Sequence, residues 1–288
     1  HLFQASRDIA CSQNCQEEMT SKKLLLALSA ILLVSAAFGN QIKVIKDDLG
    51  FAFQLNSPPQ RIISLAPNVT EILFALDLEE RIVGVTRFCD YPSGAGEKER
   101  IGGMVDPSLE KIKALNPDLI IGFRGNPLRI LNRLRTLGLP VFVLEEGKTL
   151  ESLYLAIEKI GTITRKEKEA EELCISLKNK YRGIEEALQP VGHRPKVFLF
   201  LHGRGLWTCG KESFLNDLLQ KARGENVCGK IAKKWLHYNQ EQLLHDNPEV
   251  MIVMAKSQED FSRARQWIRK GLHLEKIRAV EEDRIYFL

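Results

Sequence analysis

Ser108-Leu109-Glu110-Lys111 sets a serine three residues ahead of a lysine, the S-x-x-K spacing in which lysine helps activate a serine for acyl transfer. The S-D-N and K-T-G partners of that chemistry are missing, and Ser108 follows Pro107 at what reads as a helix start, so it is excluded as a nucleophile. Gly203-Arg204-Gly205 has no third glycine at dinucleotide spacing, and no G-x-x-x-x-G-K-[ST] run occurs, so neither phosphate cradle is present. His193, His202, His237, His245 and His273 are scattered without H-x-x-x-H or H-E-x-x-H spacing, and no metal site is predicted. With 41 Lys+Arg against 37 Asp+Glu the net charge is only +4, and the basic residues are not interleaved with aromatics. Nucleic-acid binding is therefore not expected. What remains is recognition by shape and a few polar groups. Trp235 stands out for that, because it sits in the polar run KKWLHYN, where no periodicity calls for burial.

A chain of 288 residues, 44% hydrophobic and 27% charged, is long enough for one large or two ordinary domains. Residues 19–39 read as a signal peptide. Lys22 and Lys23 form a positive start, Leu24 to Val34 an apolar stretch, and Ser35-Ala36-Ala37 or Ala37-Phe38-Gly39 a small-residue cleavage site. The apolar stretch is short for a bilayer span, and no cysteine follows it to carry a lipid. Export to a bacterial periplasm as a soluble protein is expected, with Met19 as the start and residues 1–18, including Cys11 and Cys15, as a non-native upstream segment. An oxidising compartment permits disulfides among Cys89, Cys174, Cys209 and Cys228. Cys209 with Cys228 is the pair to test, and the alternative is four small buried hydrophobes.

Past residue 40, short apolar runs alternate with helical patterns. Strands are expected at Arg61–Ala66, Ile82–Thr86, Asp118–Gly122 and Pro140–Leu144, with helices at Val69–Leu78, Pro107–Asn116, Pro127–Leu137 and Leu150–Ile160. Unbroken apolar runs such as DLIIG point to strands buried on both faces of a parallel sheet. A second set follows, with strands at Lys196–Leu201, Val250–Met254 and Arg284–Phe287 and helices at Ser213–Ala222, Gln240–His245 and Gln258–Arg269. Between the sets, Ala170, Leu173, Leu177, Tyr181 and Ile184 recur at helical spacing, predicting one amphipathic helix over 165–190. The expected fold is α/β: two three-layer lobes, 40–164 and 191–288, joined by one long rigid helix, with a ligand cleft between them. Asn68 and Glu71 read as an N-x-x-E cap of the first helix, and Asp106-Pro107 as the start of another.

The ordered blocks RIISLAPNVTEILFAL, VGVTRFCDYP, GGMVDPSLEKIKALNPDLII, WTCGKESFLNDLL, RGENV and WLHYNQEQLLHDNPEVMIV extend from about residue 58 to 288. Together they resemble the substrate-binding proteins of ABC importers for cobalamin, haem or iron-siderophores, and most nearly the cobalamin branch. The resemblance implies a monomeric, non-enzymatic protein without a resident cofactor that hands a corrinoid to a permease and ATPase in the inner membrane. It sets Phe88, Met104, Phe123, Trp207 and Trp235 on the ligand walls and turns the loop with Asn68 toward the cleft. Two wall positions that are Tyr and Trp in the branch are here Phe88 and Met104, which removes a hydrogen-bonding tip and some stacking area. Glu110 and Glu241, one per lobe, match the carboxylates that dock on permease arginines. A first-turn acid that favours the helix dipole is the alternative for each.

Two other readings stay open. A haem or ferric-siderophore ligand would favour cleft cations, for which Arg87, Arg124 and Arg204 are available. An enzyme or cofactor-assembly protein on the same fold would need a reactive thiol, Cys89 or Cys209. His202 and His237 are the histidines expected nearest the cleft, where a neutral imidazole could meet a ligand's metal. The chain stops at Leu288 directly after a strand-like run, whereas the cobalamin branch continues with a ligand-contacting loop and a closing helix. A fragment at both ends is therefore expected.

Overall fold

The computed structural model describes residues 43–55, 57–201, 205–271 and 273–288. The readings on the first forty residues, and on His202 and Arg204, lie outside them. The chain divides into two units. One takes in the chain up to Ile45 with Gln54–Ser57, and the other comprises Lys46–Phe53 and Pro58–Leu288. Strands β1 (Lys43–Lys46) and β2 (Ala52–Leu55) pair as a two-stranded sheet. All that follows concerns the second unit, which holds both larger sheets.

The first sheet consists of β3 (Ile62–Ser64), β4 (Ile82–Val85), β5 (Leu119–Phe123) and β6 (Val141–Leu144) in the order β4-β3-β5-β6, every pair parallel. All residues of β5 and β6 are buried, which is why LIIGF and VFVL run apolar without alternation. Helices α1 (Pro67–Ala75), α2 (Leu109–Ala114) and α3 (Leu128–Thr136) connect successive strands. Two helix starts differ from the sequence reading. Ala66, without a side-chain bond, precedes α1, because Pro67 already supplies a helical φ and has no N–H to satisfy. Asn68 thus falls inside the first turn instead of capping it. Ser108, not Asp106, caps α2 by accepting from Lys111 N–H, while Asp106 is taken up by Arg87 at 2.9 Å.

The chain crosses to the second sheet once, through α4 (Leu150–Thr164) and α5 (Glu167–Leu188). A reciprocal Thr149–Ser152 cap opens α4. Arg165, at φ 58°, ends it in the left-handed region, so α5 begins at Glu167. The 22 residues of α5 extend about 33 Å. Gly161 is required where α5 leans on α4, since a Cβ there would meet Ala170 Cβ at 2.5 Å. Ala170 is buried and Leu173, Leu177 and Tyr181 half-buried, as the periodicity predicts, but Ile184, in the last turns, is exposed, and Cys174, outside that pattern, is buried.

The second sheet is mixed: β7 (Lys196–Leu201), β8 (Trp207–Cys209), β10 (Trp235–His237), β11 (Val250–Met254) and β12 (Ile285–Phe287) in the order β10-β8-β7-β11-β12. The short β9 (Glu225–Asn226) runs beside β7. Strands β7, β11 and β12 are parallel, while β8 and β10 run antiparallel. Helices α6 (Phe214–Lys221), α7 (Gln240–Asp246), α8 (Gln258–Lys270) and α9 (Arg278–Glu281) complete the lobe. One face buries Phe198, Phe200, Met251 and Val253 under Phe261, Ala264 and Ile268 of α8, and the other packs Val197, Leu199 and Cys209 on Leu219 of α6. No described helix is long and apolar enough to cross a membrane.

The segment after β6 is fixed from below by two aspartates. The buried Asp47 carboxylate pairs with Arg135 and accepts N–H groups of Leu49, Phe51 and Val143. Asp48 accepts Glu145 N–H at 2.7 Å and pairs with Lys159. Removing one member of a buried ion pair strands the other. Asp47→Ala should lower unfolding free energy by about 3 kcal/mol, read as a shifted urea midpoint; an unshifted midpoint would show that Asp47 does not tie this region together.

Candidate functional site

Open α/β sheets receive ligands beyond the carboxyl ends of their parallel strands, where the chain leaves regular pairing. Here the two sheets turn such ends toward a common cavity of about 370 Å³. The first lobe contributes Asn68 and Ile72 of α1, Phe123 at the end of β5, and Glu145 to Gly147 after β6. The second contributes Phe214 and Leu215 of α6, Met254 at the end of β11, and Lys234 with Trp235 at the start of β10. Leu153 and Ala156 of α4 close the side where the lobes are joined.

Three of the expected wall residues meet there: Asn68, Phe123 and Trp235. Phe123 is held by the buried Asn126, whose Oδ1 accepts Phe123 N–H at 2.9 Å and whose Nδ2 donates to the carbonyls of Leu65 and Met104 at 3.0 and 2.9 Å. One amide thus ties three loops of the first lobe together. Trp235 is 41% exposed, a large aromatic surface that faces the cavity without being consumed by the core. Phe88, Met104 and Trp207 stand outside the lining. Phe88 is exposed, with the Arg87 guanidinium 5.3 Å from its ring centroid. Trp207 is exposed on β8 and meets His237 edge-to-face at 5.9 Å.

The charge inside leaves no mark on local sequence spacing. Lys234 forms an ion pair with Glu146 of the facing lobe, and its ammonium lies 5.6 Å from the Trp235 ring. Burial holds the Lys234 pKa below the ordinary lysine value. Two of the cations considered for an anionic ligand are paired within the first lobe, Arg124 with Glu145 at 2.6 Å and Arg87 with Asp106 at 2.9 Å; the third, Arg204, lies outside the described residues. No group of three or more metal-ligating side chains occurs among the described residues.

Glu110 and Glu241 hold equivalent places. Each is the second residue of a short helix, α2 or α7, behind a side-chain cap, Ser108 or Asn239. Both are exposed, and neither is in an ion pair among the described residues.

The cysteines depart from the pairing considered above. Cys209 and Cys228 are separate, buried thiols, as are Cys89 and Cys174. Asn226 stands beside both members of the expected pair: its Nδ2 donates to the Cys209 carbonyl at 3.0 Å, and its Oδ1 accepts Cys228 N–H at 3.0 Å. Burial pushes the Cys209 thiol up to about 11 and the Cys228 thiol up to about 12, so neither offers a thiolate near neutral pH.

A family model described as periplasmic binding protein matches residues 62–288. The chain belongs to the periplasmic binding protein family. A vitamin B12-binding protein of Vibrio parahaemolyticus is 30% identical over 220 residues, 74% of this chain and 77% of that protein. Among solved structures, the periplasmic vitamin B12-binding protein of Vibrio cholerae is 26% identical, with a TM-score of 0.70 over 80% of this chain and 88% of its own. A possible iron-binding periplasmic protein of Staphylococcus epidermidis is 28% identical, with a TM-score of 0.69 over 81% and 90%. The two-lobe α/β architecture expected from the sequence is that of these periplasmic binding proteins. In this one, the four thiols of residues 43–288 should resist a thiol reagent in the native state and all react once unfolded; two reactive thiols after unfolding would establish a disulfide instead.

Proposed function

We propose that this periplasmic binding protein captures a corrinoid outside the cytoplasmic membrane and delivers it to an ABC permease by binding alone. The observation that carries the reading is the meeting of Phe123 and Trp235 at the carboxyl ends of two facing sheets, with the Asn68 amide beside them. A corrin ring is broad, largely apolar and fringed with amides, so aromatic walls with a few polar groups suit it. A cavity of about 370 Å³ takes the edge of such a ring and leaves the remainder outside it. The names of the vitamin B12-binding relatives support the same ligand class. The burial that pushes the Cys209 thiol up speaks against that residue as a reactive thiol.

Polar bonds across the lobes favour a largely preformed cleft. Leu150 N–H donates to Asp217 Oδ2 at 3.0 Å, Lys221 pairs with Glu151 at 3.3 Å, and Lys148 with Glu212 at 3.4 Å. A preformed cleft loses little conformational entropy when it takes up ligand. Glu110 and Glu241 are the proposed permease contacts. Exposed carboxylates of this kind set orientation and encounter rate more than affinity.

Calorimetric titration with cyanocobalamin, haemin and a ferric siderophore should give the tightest binding for cyanocobalamin; absence of binding tighter than about 10 µM would overturn the corrinoid reading. Trp235→Ala should weaken it about tenfold or more, since a buried stacking contact contributes about 1–3 kcal/mol. An unchanged affinity would remove Trp235 from the wall. Glu110→Lys combined with Glu241→Lys should abolish uptake while leaving ligand affinity unchanged. Loss of ligand binding in that variant would assign the two carboxylates a structural role.

A further inference from the structure

Of the described residues lining the cavity, Lys234 is the single cation, set among Phe123, Phe214, Leu215, Trp235 and Met254. Its side chain is 27% exposed and that of its partner Glu146 is 35% exposed. A partly desolvated ammonium loses hydration and regains stability only against an anion. An apolar ligand held by stacking alone would gain nothing from having it there. Glu146 supplies that anion from the opposite lobe, across the space a ligand must enter. The base of the Glu146 segment is fixed, because Glu145 N–H is bound to Asp48. The carboxylate itself, more exposed than the lysine, can turn out to water without moving the chain.

We infer that Lys234 is a specificity-determining residue: a flat ligand bearing an anionic oxygen group on its edge, a phosphodiester or a carboxylate, takes Lys234 over from Glu146 as it enters. The ligand's anion replaces one already solvated at the rim, so the ammonium is paired before and after entry. A neutral ring of the same shape would have to leave the Lys234–Glu146 pair across the cleft or break it without compensation. The lowered pKa from burial is consistent with a lysine whose charge depends on a close partner. Arg124, paired within its own lobe and half exposed, has no such dependence on what fills the cavity.

The inference rests on reading this cavity as the ligand cleft but not on which flat ligand occupies it, and two matched pairs of probes separate the possibilities. Cyanocobalamin carries a phosphodiester that dicyanocobinamide lacks, and haemin carries two carboxylates that its dimethyl ester lacks. Each is titrated into the wild-type chain, Lys234→Met and Glu146→Gln. In whichever pair binds, the wild type should favour the anionic member about tenfold or more, as for loss of a charge-assisted hydrogen bond. Lys234→Met should erase that preference by weakening the anionic member, with no comparable loss for the neutral one. Glu146→Gln should tighten the anionic member, because the competing carboxylate is gone. A preference that survives in Lys234→Met, or an equal loss for both members, would overturn the inference while leaving the corrinoid reading intact. Binding of the haemin pair alone would overturn the corrinoid reading, with Lys234 then judged on the ester comparison. Binding of neither pair would overturn both.

Discussion

Strands buried on both faces have only their ends in which to place anything irregular, and that constraint organises this molecule. In β5 and β6 every residue is buried, so no side chain short of the strand ends is available for recognition. Chemistry is displaced to the carboxyl ends, where Phe123 closes β5 and Glu145–Gly147 follow β6. The second sheet obeys the same constraint through β11 and Met254, and adds Trp235 from an antiparallel edge strand. Two such ends turned toward each other form a cleft without any dedicated domain for it.

Buried amides then make the ends rigid. Asn126 in the first lobe and Asn226 in the second each fasten separate loops to one another through backbone groups. Each amide is enclosed, so its donors and acceptors have no water to fall back on, and the geometry they impose is strongly preferred. Phe123 presents its ring to the cleft because its backbone N–H is already committed to Asn126. The cross-lobe bonds of Asp217, Glu151 and Glu212 extend that rigidity across the joint.

Much of the architecture was legible from the sequence because it is written locally. The apolar runs that became β5, β6, β7 and β11 are long enough to stand out, and the helix at Glu167–Leu188 shows its period over about four turns. The strands Trp207–Cys209, Glu225–Asn226 and Trp235–His237 were missed, since two or three residues carry no period. Asn68 looked like a cap because N-x-x-E matches a capping box, yet Pro67, one residue earlier, starts the helix. As candidate wall residues, Phe123 was legible only through family resemblance, and Trp235 also through the polar run around it. The Lys234–Glu146 pair was not legible at all: its partners lie on different lobes, and a contact between distant residues leaves no mark on local spacing.

The central claim is that a flat ligand enters edge-on between Phe123 and Trp235 where the two sheets end. A crystal structure of the chain grown with cyanocobalamin tests it most directly. The account predicts the corrin edge stacked between those two rings, with its face extending over the exposed surfaces of Trp207 and Phe88. A corrinoid bound elsewhere, with Phe123 and Trp235 making no contact to it, would contradict the account.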